Sequence, residues 1–279
     1  DGIERQSIEL SSNSMYNLLP VDNENFWIGG NRNLFLLNIR TRRIIHYNYF
    51  KDCDVRYLYR DKNNTLWIGT YGKGYFAMKG NTLFRLPLDN QGKLNFVHAL
   101  LEDRKGNVWF TTNNGMLRAL KKDMEAYIGG KVPSIYYRYY TKEQGFNTNE
   151  FNGGCSPGCL ELKDGKLSFP SIYRLVQFYP DSLKEVYPTS RIFIDDLLID
   201  GRPVSVKNDA VLPPSFNRLQ VLISSPYYGN PANQQNEYQL KHFDDRWYPV
   251  NDGNTIDYNR LPYGTYELLL RKKTGINRN

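Results

Sequence analysis

The chain has 279 residues, which is enough for one large all-β body or for two domains with sizeable cores. No stretch reaches the roughly 18 to 20 uncharged apolar residues that a membrane span needs, and the N-terminus lacks the basic-then-apolar pattern of a signal peptide. The net charge is +7, of which residues 1–182 carry +6, but no segment interleaves basic and aromatic residues as nucleic-acid modules do. We therefore expect no nucleic-acid partner.

Strand-forming residues dominate from the start of the chain. Tyrosine (22) and phenylalanine (14) are abundant, whereas amphipathic helical segments of a dozen residues or more are hard to find. The first predicted strand spans residues 3–10 and has no neighbouring strand with which to pair.

Three copies of one pattern follow, each an acidic turn and then an aromatic-hydrophobic step that ends in small or hydroxyl residues. The copies span residues 22–30, 61–70 and 103–112, and Trp27, Trp67 and Trp109 lie 40 and 42 residues apart. Such a period is typical of repeat proteins with one four-stranded sheet per unit.

The second copy shows the repeat unit most clearly. Four antiparallel strands joined by turns are predicted at residues 55–60, 65–70, 75–79 and 82–86. This is the composition of a β-propeller blade. The same pattern places blade one at residues 15–49 and blade three at residues 95–140.

A weaker fourth copy spans residues 164–171, with Phe169 in the position of the tryptophan, and places blade four at about residues 151–179. Only three strands are predicted there. The strand at residues 3–10 could supply the fourth and close the ring, which would remove an exposed sheet edge. Alternatively, it completes an upstream blade.

Residues that recur at one blade position are expected to pack rather than to bind. We assign inter-blade packing to Trp27, Trp67, Trp109 and Phe169, with ligand stacking as the alternative. The aspartate that opens each copy is expected to accept backbone N–H bonds in its turn.

The three cysteines do not indicate whether the chain belongs to an oxidising or a reducing compartment. Cys155 and Cys159 could close a small disulfide loop, or they could be two half-buried thiols beside a turn. The pair lacks the further ligands of a zinc site. We expect neither a metal nor a cofactor.

Residues 183–279 contain short alternating strands with Pro or Gly turns every 8 to 12 residues. This spacing is typical of a β-sandwich.

Residues 103–112 have the form Asp-x-x-Gly-Asn-x-Trp-x-x-Thr and resemble regulator-propeller repeats. These repeats occur in the periplasmic sensor regions of hybrid two-component systems of Bacteroidetes. Residues 145–154 and 176–181 resemble the end of the last blade of that propeller.

Residues 191–203 resemble the strand that enters the triple-tyrosine domain of the same family. Tyr238, Tyr258 and Tyr266 match the three tyrosines for which the domain is named. The family propeller has seven blades, whereas four are counted here, so the resemblance implies a fragment or a shortened member. Lys241 and His242 stand where the family has a Glu-Gly-like turn, and the chain is expected to stop before the last strand of the sandwich.

The predicted fold is therefore all-β, with a partial propeller of about four blades at residues 1–182 and an immunoglobulin-like sandwich at residues 183–279. The resemblance implies the periplasmic, ligand-sensing region of a membrane-anchored histidine kinase. It implies a glycan-derived oligosaccharide as the ligand, and the excess positive charge favours an acidic one. It also implies a homodimer, formed through the sandwich or by two copies completing each other's propeller.

No catalytic motif accompanies His46, His98 or His242, and we expect this chain not to be an enzyme. Propeller lyases and hydrolases assemble their groups from distant blades, however, so a polysaccharide lyase or hydrolase stays as an alternative. A non-catalytic docking module for another protein is the second alternative.

Candidate ligand residues follow from blade topology, because two kinds of loop meet at one end of a propeller. Loops between the second and third strands contain Arg32, Tyr71, Lys73, Asn113 and Asn114. Links between blades contain Tyr49, Lys51 and Asp54. For each residue, an ordinary solvated loop is the alternative.

Overall fold

The tryptophan repeats form antiparallel blades in which strand order follows chain order. The structure is a computed structural model that describes residues 8–10, 14–142, 145–154, 156–183, 187, 190–205, 209–251 and 253–273. It divides into two compact units, Asp1–Lys184 and Glu185–Asn279.

The first unit contains four blades. Blade 1 consists of β1 (Met15–Pro20), β2 (Asn25–Gly30), β3 (Asn33–Asn38) and β4 (Ile44–His46). Blade 2 consists of β5 (Asp54–Arg60), β6 (Leu66–Tyr71), β7 (Tyr75–Lys79) and β8 (Thr82–Arg85). Blade 3 consists of β9 (Ala99–Glu102), β10 (Asn107–Thr112), β11 (Gly115–Leu120) and β12 (Arg138–Tyr140). Blade 4 has three described strands, β13 (Leu160–Glu161), β14 (Leu167–Pro170) and β15 (Leu175–Phe178).

Helices are short in the described residues. One α-helix, α1 (Lys121–Ile128), lies between β11 and β12. Single 3-10 turns lie at Asn48–Phe50, Lys93–Asn95, Pro180–Ser182 and Pro231–Asn233. None of the described helices is long and apolar enough to cross a membrane.

Each buried repeat aspartate binds both its turn and its tryptophan. Asp61 Oδ1 accepts the N–H groups of Asn63 and Thr65, and its Oδ2 accepts the Trp67 indole N–H, all at 2.9 Å. Asp103 repeats this pattern with Trp109, also at 2.9 Å. The six-residue spacing between aspartate and tryptophan therefore fixes the turn and the indole together.

The tryptophans lie in the apolar layers of the blades. Trp27 packs against the buried cluster that includes Val55 and Ile68 of blade 2. Trp109 is fully buried, and its ring centroid lies 5.1 Å from that of Phe178 in blade 4. These contacts join neighbouring blades through apolar burial.

Of the predicted strand at residues 3–10, the structure describes residues 8–10, which lie outside any strand. Ile8 and Leu10 pack against the cluster formed by Ile28, Phe35 and Leu37 of blade 1. The described part thus covers a face of blade 1 and adds no strand to blade 4.

The second unit is a sandwich of two antiparallel sheets. One sheet has the order β17-β16-β18-β21 and the other β20-β19-β22. The strands are β16 (Phe193–Ile199), β17 (Arg202–Val204), β18 (Arg218–Ser224), β19 (Gln235–Lys241), β20 (Tyr248–Pro249), β21 (Thr255–Asn259) and β22 (Glu267–Lys273). The all-β prediction of about four blades followed by a sandwich is confirmed.

The three matched tyrosines lie in or beside the core of this sandwich. The rings of Tyr238 and Tyr258 meet edge to face at 5.8 Å, and Tyr258 Oη donates to Asp244 Oδ2 at 2.5 Å. Tyr266 Oη donates to the carbonyl of Pro262 at 2.7 Å. The Tyr258 and Tyr266 side chains therefore pack while their hydroxyl groups are hydrogen-bonded.

The departure at Lys241 and His242 falls in a tight turn. His242 has φ of +69°, in the left-handed region that favours glycine. Lys241 Nζ pairs with Glu267 at 2.6 Å. The backbone of this turn is thus one that a glycine at position 242 would adopt without strain.

Candidate functional site

The hairpins β2–β3, β6–β7 and β10–β11 lie at the same end of the blades as the links that enter β5 and β9. We call this end the loop end. The link residue Val97 donates its N–H to the carbonyl of Thr70, and Asp54 pairs with Tyr71, so that links and hairpins touch. The antiparallel order of each blade makes this arrangement obligatory.

An aspartate–arginine pair lies at the centre of the loop end. Asp54 accepts hydrogen bonds from Asn31 Nδ2 at 3.0 Å and from Arg56 Nη2 at 2.9 Å, and Tyr16 Oη lies 3.5 Å from its Oδ2. The Arg56 guanidinium lies 4.1 Å above the Tyr16 ring and 5.2 Å from the Tyr71 ring. We call these five residues the Arg56 cluster. They come from the first two blades.

A histidine and an asparagine extend this cluster into blade 3. His98 Nε2 and Asn113 Oδ1 lie 2.6 Å apart, and Asn113 Nδ2 lies 3.5 Å from Tyr71 Oη. The Tyr71 ring also packs against Phe96, with centroids 4.6 Å apart. Tyr71 itself is 39% exposed, so part of this residue is accessible to a ligand.

His98 is neutral in this arrangement. Burial lowers the pKa of its imidazole, and the hydrogen bond with Asn113 opposes this effect only in part. Because the Asn113 oxygen is an acceptor, Nε2 carries the proton and Nδ1 is the unprotonated nitrogen. Nδ1 is buried and has no hydrogen-bond partner among the described residues.

The inner strand of blade 4 carries a bulge. Phe151 pairs with Ser171, and Leu160 pairs with Ser168. Between these two pairs, the first strand advances by nine residues, whereas its partner strand advances by only three. We call the described residues 153, 154 and 156–159 the inner bulge. Its length implies that the bulge extends away from its own sheet.

The inner bulge lies against the first strands of blades 2 and 3. A Cβ on Gly153 would lie 2.2 Å from His98 Nδ1, and one on Gly154 would lie 2.9 Å from Arg56 Nη1. These glycines therefore allow the backbone to lie directly on the two side chains of the site.

The cysteine alternatives involve the same bulge. Cys155 lies outside the described residues. The disulfide loop and the pair of thiols therefore both stay predictions. Cys159 is buried, with Sγ 3.0 Å from Tyr57 Oη.

The structure brings some of the predicted ligand residues together and not others. Asp54, Tyr71 and Asn113 lie in one continuous set of contacts. Lys73 and Tyr49 form a second group, because Lys73 Nζ donates to the Tyr49 carbonyl at 3.3 Å and lies 5.4 Å from the centre of its ring.

The remaining three predicted residues join neither group within the described part of the chain. Arg32 is exposed at a left-handed turn position, and Lys51 is exposed at the end of a 3-10 turn. Asn114 donates its backbone N–H to Thr112 Oγ1 at 3.0 Å and so belongs to the hairpin itself.

Sequence reasoning missed Tyr16, Asn31, Arg56 and His98. His98 alternates with apolar neighbours, a pattern that is typical of a core strand. One sequence signal could have found Arg56 and His98. Each is a polar residue that alternates with apolar neighbours near the start of its blade. In isolation, that signal also fits an ordinary solvent-facing strand position.

The basic run of the first blade lies elsewhere. Arg40, Arg42 and Arg43 belong to the β3–β4 turn, at the end opposite the loop end. Arg40 is paired with Glu24 of the β1–β2 turn. The excess charge of the repeats is therefore not concentrated on the Arg56 cluster.

The site combines a partly exposed tyrosine with amide and carboxylate groups. Such a set can stack on a sugar ring and exchange hydrogen bonds with its hydroxyl groups. No group of three His, Cys, Asp or Glu side chains in the described residues is placed to hold a metal ion.

Two family models match this chain. The two-component regulator propeller model matches residues 49–72 and 91–114, which include the second and third tryptophan repeats. The Y_Y_Y domain model matches residues 227–278, in the sandwich.

The curated relative histidine kinase P4 of Formosa agariphila is 23% identical over 261 residues. The match covers 85% of this chain but 18% of that protein. This chain therefore corresponds to a small part of the relative.

Among solved structures, the extracellular domain assigned to the hybrid two-component system BT3049 of B. thetaiotaomicron has a TM-score of 0.53 at 21% identity. The match covers 97% of this chain and 37% of that one, and it shows a shared fold. Virginiamycin B lyase of Staphylococcus aureus covers 90% of this chain and 85% of its own at 14% identity. Its TM-score of 0.41 is too low to bear on activity.

Proposed function

We propose that this chain, which the two-component regulator propeller and Y_Y_Y domain models match in part, is a sensor region of a two-component system and that it binds a glycan-derived oligosaccharide. The ligand lies at the loop end, on the Arg56 cluster and Asn113. The chain acts outside the cytoplasm, as the ligand-binding part of a membrane-anchored histidine kinase.

One observation carries the proposal. Tyr71 is a partly exposed aromatic residue directly beside the amide of Asn113 and the Asp54–Arg56 pair. A sugar ring offers an apolar face that stacks on an aromatic ring and hydroxyl groups that pair with amides and carboxylates. Three blades contribute to this surface, so a ligand there would contact all three.

Signalling requires more than binding. A ligand changes the output of a kinase only if it binds two arrangements of the protein with different affinity. The family resemblance makes a homodimer our expectation for the active arrangement, and the sandwich the relay to the membrane. Sedimentation equilibrium with and without ligand tests that part separately.

Replacing Tyr71 with alanine is expected to weaken oligosaccharide binding about tenfold, because the stacking surface is lost. Isothermal titration calorimetry of the 279-residue chain with a panel of plant and algal oligosaccharides measures this effect. Tyr263→Ala is the matched control, since Tyr263 is a 91% exposed tyrosine of the second unit. Equal loss in both variants, or none in either, would count against the site.

The same titrations separate the alternative functions. If no oligosaccharide produces a heat of binding, the result would favour a docking module for another protein over an oligosaccharide sensor. Release of shortened or unsaturated products from the panel would instead identify a hydrolase or a lyase. The proposal assigns no bond-breaking step to this chain.

A further inference from the structure

We propose that the loop-end site takes an uncharged, hydroxyl-bearing sugar unit and rejects one that carries a carboxylate or sulfate group. This inference rests on the proposed function, because it specifies the sugar that the same site binds. It reverses the preference for an acidic ligand that the net charge favours.

The first step is that the positive charge at the centre of the site is already neutralised. Arg56 Nη2 binds Asp54 Oδ2 at 2.9 Å, and the two side chains are 22% and 17% exposed. At this level of burial the pair is only weakly screened by solvent, so each charge compensates the other. An incoming anion would have to compete with Asp54 for Arg56.

The second step is that Arg56 has little freedom to turn toward a ligand. Its guanidinium lies on the Tyr16 ring at 4.1 Å, and Nη1 is so close to Gly154 that an added Cβ would lie 2.9 Å away. Tyr71 flanks it at 5.2 Å. Aromatic rings and backbone thus enclose the cation on several sides.

The third step concerns the groups that a ligand meets. Tyr71 and Asn113 are uncharged, and Asp54 carries a negative charge. A sugar hydroxyl can donate to a carboxylate or accept from an amide, and so it fits both kinds of partner. A ligand carboxylate could not donate to Asp54, and bringing it there would leave a poorly compensated charge.

The fourth step is that the neighbouring lysine does not reverse this balance. Lys73 Nζ lies 3.6 Å from Asp52 Oδ2 and faces the Tyr49 ring. Arg32 and Lys51 are exposed and belong to neither group of site residues. An acidic ligand held by these two residues instead would show a strong salt dependence, which makes the alternative measurable.

The experiment is a calorimetric titration of the full chain with neutral gluco-, galacto- and xylo-oligosaccharides and with glucuronate- and galacturonate-containing oligosaccharides of equal length. We expect binding by at least one neutral sugar, and no binding or at least tenfold weaker binding by its acidic counterpart. Between about 0.05 and 0.5 M NaCl the affinity for the neutral sugar should change by less than about twofold.

Asp54→Asn gives a test whose sign distinguishes the two ligand classes. The asparagine has one acceptor oxygen, so it keeps the hydrogen bond from either Asn31 or Arg56 but not both, and it removes the negative charge. Binding of a neutral sugar should weaken about tenfold, because hydrogen bonds to charged groups are roughly twice as strong as neutral ones. Binding of an acidic sugar would become tighter, since the repulsion disappears and Arg56 becomes available. Arg40→Ser, at the opposite end of the blades, is the control and should change neither.

The outcomes separate this inference from the proposed function. Tighter binding of an acidic sugar than of its neutral counterpart by the unaltered chain, an affinity that falls steeply with salt, or a gain of affinity for the neutral sugar in Asp54→Asn would overturn the inference and leave an oligosaccharide sensor. Absence of heat with every sugar of both classes would overturn the proposed function and the inference with it. The salt series uses the unaltered chain, so it decides the question even if the variant does not fold.

Discussion

Replacing Asp61 with alanine is expected to lower the free energy of unfolding of the propeller unit by about 3–5 kcal/mol, the usual cost of removing one partner of a buried ion pair. The Asp61 side chain is fully buried, and Lys121 Nζ lies 3.0 Å from its Oδ2 and 2.7 Å from Glu102 Oε2. The substitution removes the acceptor of the Trp67 indole and one of the two carboxylates that compensate Lys121. Urea unfolding followed by tryptophan fluorescence measures the change.

The repeats provide an internal series for this prediction. Asp103 binds its turn and Trp109 in the same way, but no lysine is paired with it among the described residues, so Asp103→Ala should cost less than Asp61→Ala. Asp22 is exposed and accepts N–H groups of its own turn, so Asp22→Ala should have the smallest effect. Equal costs at the three positions would contradict the assigned role of Lys121.

The stabilisation by Asp61 should also depend on pH. Burial raises the pKa of this carboxyl, but hydrogen bonds from Trp67, Lys121 and Thr65 outweigh burial and hold the pKa below its usual value. A group with a lowered folded-state pKa contributes stability above its unfolded pKa of about 3.9, and this contribution is lost as the pH falls through the folded value. Asp61→Asn should therefore flatten the acid side of the stability curve, measured by urea unfolding at a series of pH values. A curve with unchanged slope below pH about 4 would be the contrary result.

The sequence predicted the first three blades well because their determinants are local. An aspartate, a turn and a tryptophan six residues later form one hydrogen-bonded unit, as at Asp61 and Trp67. The strands on either side follow from the alternation of apolar and polar residues. In blade 2, wherever a predicted strand end differs from the observed one, the difference is one residue. Helix α1 was not predicted, because eight residues without a strong apolar face carry little helical signal.

Blade 4 and the site depend on contacts between distant residues. Blade topology alone places Asp54, Tyr71 and Asn113 at one end of the blades. It could not identify Arg56 and His98, because their positions in alternating strands resemble ordinary ones. Nor could it place the inner bulge, whose glycines are explained by side chains about 55 and 100 residues earlier in the chain.

Gly153→Ala is the second change from which we expect a large effect, about 1–3 kcal/mol of lost stability, the usual cost of overpacking a buried site. The new methyl group would lie 2.2 Å from His98 Nδ1 and 2.8 Å from His98 Cγ. His98 is 6% exposed and bonded to Asn113, so the ring cannot move aside without breaking that bond. Thermal unfolding followed by circular dichroism measures the loss. The same displacement should weaken oligosaccharide binding through Asn113.

A double-variant cycle distinguishes this clash from a general effect of alanine in the inner bulge. His98→Ala creates space for the new methyl group, so Gly153→Ala should cost much less in the His98→Ala background than in the unaltered chain. Gly158→Ala is the matched control within the bulge, since its Cβ would lie 3.0 Å from the edge of the Tyr57 ring. It should lose less stability, and His98→Ala should not restore it. Additive costs for Gly153→Ala and His98→Ala would show that the glycine is not needed for the contact with the histidine, and the bulge would then be held against blade 3 by something other than this close approach.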